Sequence, residues 1–197
     1  MIQFYKPNKK VTGSACSFWL NDDGSIMASL IKQDGWNDQK HTGSFSKNKD
    51  NPNGRVIIKL NEHEIASIVD CLETNRKFST YHRSSKQTLQ INFGVYERAG
   101  EQLGFSFSVN KQDAQDSTNK VGFVIGFNFG EGRYLKEFLL FLLAQKFKSF
   151  QRQRKSSDSF QSNKFKAKTP KAPAKSDKSD KIGIEEVDLD DDDDLAW

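Results

Sequence analysis

Apolar and polar residues alternate with a period of two from Thr88 to Tyr96, where Leu89, Ile91, Phe93 and Val95 oppose Thr88, Gln90, Asn92 and Gly94. The alternation returns in Leu103–Asn110, with Phe105, Phe107 and Val109 against Ser106 and Ser108. It returns again in Lys120–Phe129, with Phe123, Ile125, Phe127 and Phe129 against Gly122, Gly126 and Asn128. With Ser79–His82 these make four strands of an antiparallel sheet that packs one face on a core. Upstream, from Phe4 to Lys59, short apolar stretches are broken by turn clusters at residues 21–24, 33–35 and 48–54, the spacing of a strand meander. Two segments switch to helical spacing. One opens at Asn61, with Glu64 completing a capping box, Ile65, Ile68, Val69 and Leu72 as its stripe, and Arg76 and Lys77 suited to its C-terminal dipole. The other runs from Gly132 through Leu135, Phe138, Leu139, Leu142, Leu143 and Phe147. Its apolar positions cover more than half its girth, which predicts deeper burial than for the first helix.

The order is therefore about four strands, a helix, four strands, a helix. That predicts an α+β protein of two antiparallel four-stranded sheet units, each followed by a helix. This doubled order resembles the Whirly-type arrangement, an architecture shared with transcriptional-coactivator relatives that bind single strands, and the resemblance implies a Whirly-like body. It lies in element order; the Lys-Gly-Lys-Ala-Ala-Leu stretch of plant Whirly proteins is absent. The alternative is an oligonucleotide-binding barrel, whose five strands leave the segments around Thr88–Phe129 and the terminal helix unexplained. After Phe150 the composition shifts to Lys, Ser, Gln and Pro, which cannot offset the entropy of ordering. The expected division is a single-strand-binding body over 1–150, a basic disordered linker over 151–181 and an acidic tip over 182–197.

Charge sharpens that division. The net +4 of the 197 residues splits into +3 over 1–145, +9 over 146–181 and −8 over 182–197. A mildly basic body with a basic extension suits a polyanionic partner. The tip, IGIEEVDLDDDDDLAW, carries eight carboxylates and no basic residue. Blocks of like charge stay solvated as interaction tails. The layout resembles the C-terminal tip of bacterial and phage single-stranded DNA-binding proteins, where a binding domain is followed by a flexible linker and an acidic run ending in an aromatic. Over about a quarter of the chain, that resemblance implies two roles. Asp190, Asp191, Asp192, Asp193 and Asp194 would compete with nucleic acid for cationic surface, and Leu195 and Trp197 would dock on a replication or recombination protein. The start, MIQFYKPNKK, has no apolar core of a signal peptide, Cys16 and Cys71 form no CxxC pair, and the seven-residue run FLLFLLA is too short to span a bilayer. A soluble, cytoplasmic protein of a bacterial or phage-infected cell is expected.

Catalytic signatures are missing from the pattern. His41, His63 and His82 stand at neither ligand nor triad spacing, and Gly126–Gly132 lacks the Lys-Ser/Thr of a phosphate loop. Glycines there suit a strand bend or a close helix approach. No enzyme activity, metal or cofactor is expected. Single-strand binding instead needs aromatics on an exposed face with cations along the backbone track. Trp19 falls on the polar face of its strand beside Ser17 and Asn21; Trp36 and Phe45 are flanked by Lys32, Lys40, Lys47 and Lys49; Tyr81 has Arg83 and Lys86 nearby, and Tyr96 has Arg98. Edge packing under a loop competes as a reading for each aromatic taken singly. The sequence thus points to a sequence-tolerant single-stranded DNA-binding protein of replication, recombination or repair. The alternatives are a transcription cofactor or histone-chaperone-like interaction protein, and an RNA-binding regulator. Association into a homo-oligomer is expected through Phe138, Phe141, Leu142 and Gln145 of the last helix.

Overall fold

Each alternating stretch becomes a strand, because a pleated strand sends successive side chains to opposite faces and only one face can reach the core. A computed structural model describes residues 1–165 apart from residue 117, and the surroundings of side chains through residue 150. Along the chain come β1 (Ile2–Lys6), β2 (Ser14–Leu20), β3 (Ile26–Lys32), β4 (Gly35–Asn37), β5 (Thr42–Ser44), β6 (Arg55–Leu60) and α1 (Glu62–Thr74). They are followed by β7 (Phe78–Arg83), β8 (Gln87–Arg98), β9 (Glu101–Asp113), β10 (Lys120–Phe127) and α2 (Phe129–Phe165). Two four-stranded antiparallel sheets result, β1-β2-β3-β6 and β10-β9-β8-β7. Neither closes into the barrel that was the alternative. The turn-rich segment around Trp36 is a further hairpin, β4 paired with β5.

The inner faces of the two sheets share one core. Phe18 of β2 lies 5.6 Å from Phe107 of β9, and Phe4 of β1 meets Phe127 of β10 edge-on at 4.9 Å. Helix α1 adds Ile65, Ile68 and Cys71, all fully buried, and α2 adds Leu135, Leu139 and Leu142. At Gly104 in β9, φ is +148° and a Cβ would sit 2.0 Å from the Phe127 carbonyl oxygen, so only glycine fits this crossing.

Both helices start with the same device. In α1 the Asn61 side chain accepts from the Glu64 N–H and Glu64 Oε2 accepts from the Asn61 N–H, each at 2.9 Å. In α2 the pair is Asn128 and Glu131, at 2.8 Å both ways, which starts the helix at Phe129 rather than at Gly132. Gly132 instead lets α2 approach β9: a Cβ there would lie 2.8 Å from the Phe105 ring. The second oxygen of each capping glutamate then reaches across the molecule. Glu64 Oε1 accepts from His82 Nε2 of β7 at 2.7 Å, and Glu131 pairs with Lys6 of β1. Each helix is thus pinned to the first strand of the sheet it does not follow.

The helix ends depart from expectation. Asn75, in the left-handed region at φ 63°, stops α1 by returning its N–H to the Cys71 carbonyl. Arg76 and Lys77 lie beyond that stop, and no basic residue occupies the last turn. Helix α2 continues to Phe165, past the expected end of the body at 150, since no Gly or Pro interrupts residues 133–169. Residues 166–197, with most of the expected linker and the whole acidic tip, lie outside the described residues. Nor is α2 buried all round: Leu135, Leu139, Leu142 and Leu143 face the core, while Tyr134, Phe141 and Phe147 are 63%, 53% and 55% exposed. A helix cannot bury both sides against one core. Leu142 therefore belongs to the chain's own interior. Lys146 is likewise engaged, donating to the Gly24 carbonyl at 2.6 Å and standing 3.4 Å from Glu62. Among the described residues no helix is long and apolar enough to cross a membrane.

Candidate nucleic-acid interface

The strand register sets out the outer face of the first sheet. One row reads Tyr5, Ala15, Ile31, Arg55; the next reads Gln3, Ser17, Ser29, Ile57; a third holds Trp19, Met27 and Lys59. Small residues in the two middle strands leave a floor between larger walls. Tyr5 stands on one side, edge-on to Phe45 at 5.9 Å, and Arg55 on the other. Together with Lys49 they enclose a cavity of ≈ 150 Å³. The Arg55 guanidinium is held in place, with Nε donating to Ser29 Oγ at 3.0 Å and Nη1 to the Lys49 carbonyl at 3.4 Å. Among the described residues no carboxylate lines this cavity.

Phe45 reaches this position through a chain of polar anchors. Gln33, buried at the end of β3, accepts from the Asn8 and Gly13 N–H groups and donates to the Asn8 and Gly35 carbonyls. It ties the β1–β2 turn to the β4–β5 hairpin. Asp34 then accepts from the Lys47 and Asn48 N–H groups at 2.6 and 3.2 Å, fixing the chain that follows Phe45.

Two more cavities lie near cations. Where the sheets meet, Lys32 Nζ sits 4.9 Å from the centre of the Phe123 ring, beside Val11 and Thr12, in a space of ≈ 190 Å³. On the outer face of the second sheet, Tyr81, Gln90, Asn110 and Lys120 surround ≈ 230 Å³, while Lys111, on the inward-facing row with Val109, donates its Nζ to the Pro52 carbonyl at 3.1 Å. There the Tyr81 hydroxyl accepts from Gln90 Nε2 at 3.0 Å, and the Arg83 guanidinium lies 6.0 Å from the Tyr81 ring centre. A fourth, of ≈ 330 Å³, is lined by Glu62 and Glu64 beside Lys59, His82 and Lys146, a mixed set that repels a polyanion as much as it attracts one.

The residues singled out from sequence fall into separate groups. Phe45 and Lys49 come together with Tyr5 and Arg55, which the sequence reading missed. Tyr81, with the Arg83 guanidinium near its ring, shares a cavity with Lys120, which the sequence reading missed. Lys32 stands alone on Phe123. Trp19 is half-buried, and its indole N–H donates to Asn21 at 2.7 Å. Trp36 is half-buried in the hairpin, 6.5 Å from the His41 ring, and its indole N–H has no partner among the described residues. Lys40 and Lys47 are exposed on the hairpin side, Lys86 is exposed in the β7–β8 turn, and Tyr96 and Arg98 are exposed at the far end of β8. Asp190–Asp194, Leu195 and Trp197 fall outside the described residues. A signal for Tyr5 and Arg55 was present: each is the outward partner in an alternating strand, Tyr5 beside Phe4 and Arg55 beside Val56. What joins them is cross-strand register, which one sequence does not display.

No protein-family model matches the chain. No curated protein matches it either. Among solved structures it is similar to WHY1 from Arabidopsis thaliana, with a TM-score of 0.54 at 14% identity over 79% of this chain and 90% of that one. WHY3 from the same plant matches with a TM-score of 0.54 at 14% identity, over 80% and 95% of the two chains. The plant transcriptional regulator PBF-2 matches at 0.53 and 15% identity, over 81% and 86%. The doubled sheet-and-helix body therefore has the Whirly-like fold.

Proposed function

We propose that this protein binds single-stranded DNA with little sequence preference, performing no chemistry on it, in replication, recombination or repair. The observation that carries the reading is the sheet cavity where Tyr5 and Phe45 face Arg55 and Lys49, with no carboxylate among the described residues that line it. Aromatic faces there accept bases of any sequence, and fixed cations meet the phosphates. The Whirly-like fold supports the same reading, and Tyr81 with Lys120 supplies a second set of the same chemistry. The basic stretch and acidic tip read from the sequence add regulation. Asp190–Asp194 compete with DNA for the cations, and on displacement Leu195 and Trp197 become anchors for a partner protein. The exposed Phe141 and Phe147 face of α2 supports association between copies, which sedimentation at micromolar concentration tests.

A second reading, transcription regulation, is favoured by the likeness to PBF-2, which is described as a plant transcriptional regulator. The deciding experiment is anisotropy of labelled oligo-dT, oligo-U and duplex DNA with the full chain across a salt series. Tight, steeply salt-dependent binding of oligo-dT supports the proposal. Preference for duplex overturns it in favour of the second reading, and preference for oligo-U makes the protein an RNA binder.

A further inference from the structure

The three cavities near cations are not independent. Ile31 lines both the Tyr5–Arg55 cavity and the Lys32–Phe123 cavity, and Gly122 lines both the latter and the cavity around Tyr81. End to end they pass from the outer face of the first sheet, over the junction between the sheets, to the outer face of the second. Four cations line this course: Lys49, Arg55, Lys32 and Lys120. Among the described residues no Asp or Glu lines any part of it, whereas the cavity beside His82 carries two.

We propose that these cavities form one continuous route for a single DNA strand, crossing between the sheets at a notch made by Gly122. This rests on the single-strand-binding function argued above and says where the strand runs. Aromatics stand at its ends for stacking, Tyr5 and Phe45 at one and Tyr81 at the other, while at the crossing Lys32 lies over the buried Phe123 ring. The crossing is open because β10 presents no side chain there. Gly122 is exposed on the outer face, opposite Asn110. A Cβ at Gly122 would come 3.4 Å from Asn110 Oδ1, close enough to fill the notch and loose enough for the strand to remain formed. Four residues along, Gly126 faces the same way but lines none of the cavities, and a Cβ there meets only the Phe105 carbonyl at 3.9 Å. Lys86 and Arg98 also lie off the route.

The test uses the full chain and labelled oligo-dT about thirty nucleotides long, with thermal melts to verify that each variant is folded. Each phosphate contact to a single strand contributes about 0.7 to the slope of log affinity against log salt. Lys49→Ala and Lys120→Ala, at opposite ends, should each lower the slope by about that amount, and the double variant by about 1.4. Gly122→Val should weaken binding about tenfold or more, as for a lost base stack, and Gly126→Val should not. Lys86→Ala and Arg98→Ala should leave the slope unchanged. Equal effects of the two glycine variants, or lysine variants no different from the controls, overturn the route while binding itself stands. A wild-type chain that leaves oligo-dT free overturns both the route and the function beneath it. Responses seen with oligo-U alone overturn the assignment to DNA.

Discussion

Replacing Glu64 with alanine removes one carboxylate that does two jobs, and the cost follows from the geometry. Oε2 is the acceptor for the N–H that opens α1, and losing such a cap costs about 1 kcal/mol. Oε1 takes the His82 N–H at 2.7 Å, with the Glu64 side chain only 8% exposed, and a hydrogen bond to a charged group is worth about 1.5–3 kcal/mol. Glu64→Ala should therefore lose about 2.5–4 kcal/mol in urea unfolding, or about 5–15 °C in Tm for a body of this size. Glu131→Ala is the internal comparison. It removes the equivalent cap of α2, but its pairing with Lys6 is 28–36% exposed and adds only about 0–1 kcal/mol. Its cost should be about 1–2 kcal/mol. Glu64→Gln, which keeps an acceptor for the Asn61 N–H, should fall between wild type and Glu64→Ala. If Glu64→Ala costs under about 0.5 kcal/mol, or less than Glu131→Ala, the bridge from α1 to β7 contributes nothing and the reasoning fails.

Phe107, fully buried between Phe18 and Phe93 at 5.6 and 6.0 Å, should cost about 3–5 kcal/mol as Phe107→Ala, and a milder loss in chemical denaturation would mean the sheets pack less tightly than described. Burial pushes the Cys16 and Cys71 thiols up from their ordinary range, so both should resist alkylation at pH 8 until denaturant is added; rapid labelling of either in the folded protein would contradict that. The Glu62 carboxyl is held below the ordinary glutamate range, first by its own backbone N–H and then by Lys146. Because its folded value is the lower one, its stabilisation is present at neutral pH and fades as pH falls through that value, so Glu62→Gln should flatten the acid limb of stability below about pH 4.5. A limb as steep as wild type would assign the acid loss to other carboxylates. Deleting residues 182–197 should tighten oligo-dT binding most at low salt and abolish partner capture, whereas Trp197→Ala should impair capture alone; unchanged affinity on deletion would leave the tip without a competing role.

The sequence alone determined the elements, because each is dictated by a local rule. Period-two alternation places β8, β9 and β10 within a few residues of their true ends. The Asn61–Glu64 box starts α1 at its first residue. The equally legible Asn128–Glu131 box was masked by the flanking glycines, whose work is to let α2 lie against Phe105. Aromatics near lysines could be picked out as candidates, and Phe45, Lys49, Tyr81 and Lys32 do line cavities. Tertiary structure decided which of them stand together. Tyr5 reaches Arg55 across four strands through register, Lys32 finds Phe123 ninety-one residues away, and Lys120 joins Tyr81 only when β7, β8, β9 and β10 pair. It also decided that Lys146 is an anchor and that, among the described residues, Tyr134, Phe141 and Phe147 of α2 are exposed. The physical reason is range: alternation and capping act between residues a few positions apart, while a binding surface is assembled by contacts between strands whose partners no local pattern names.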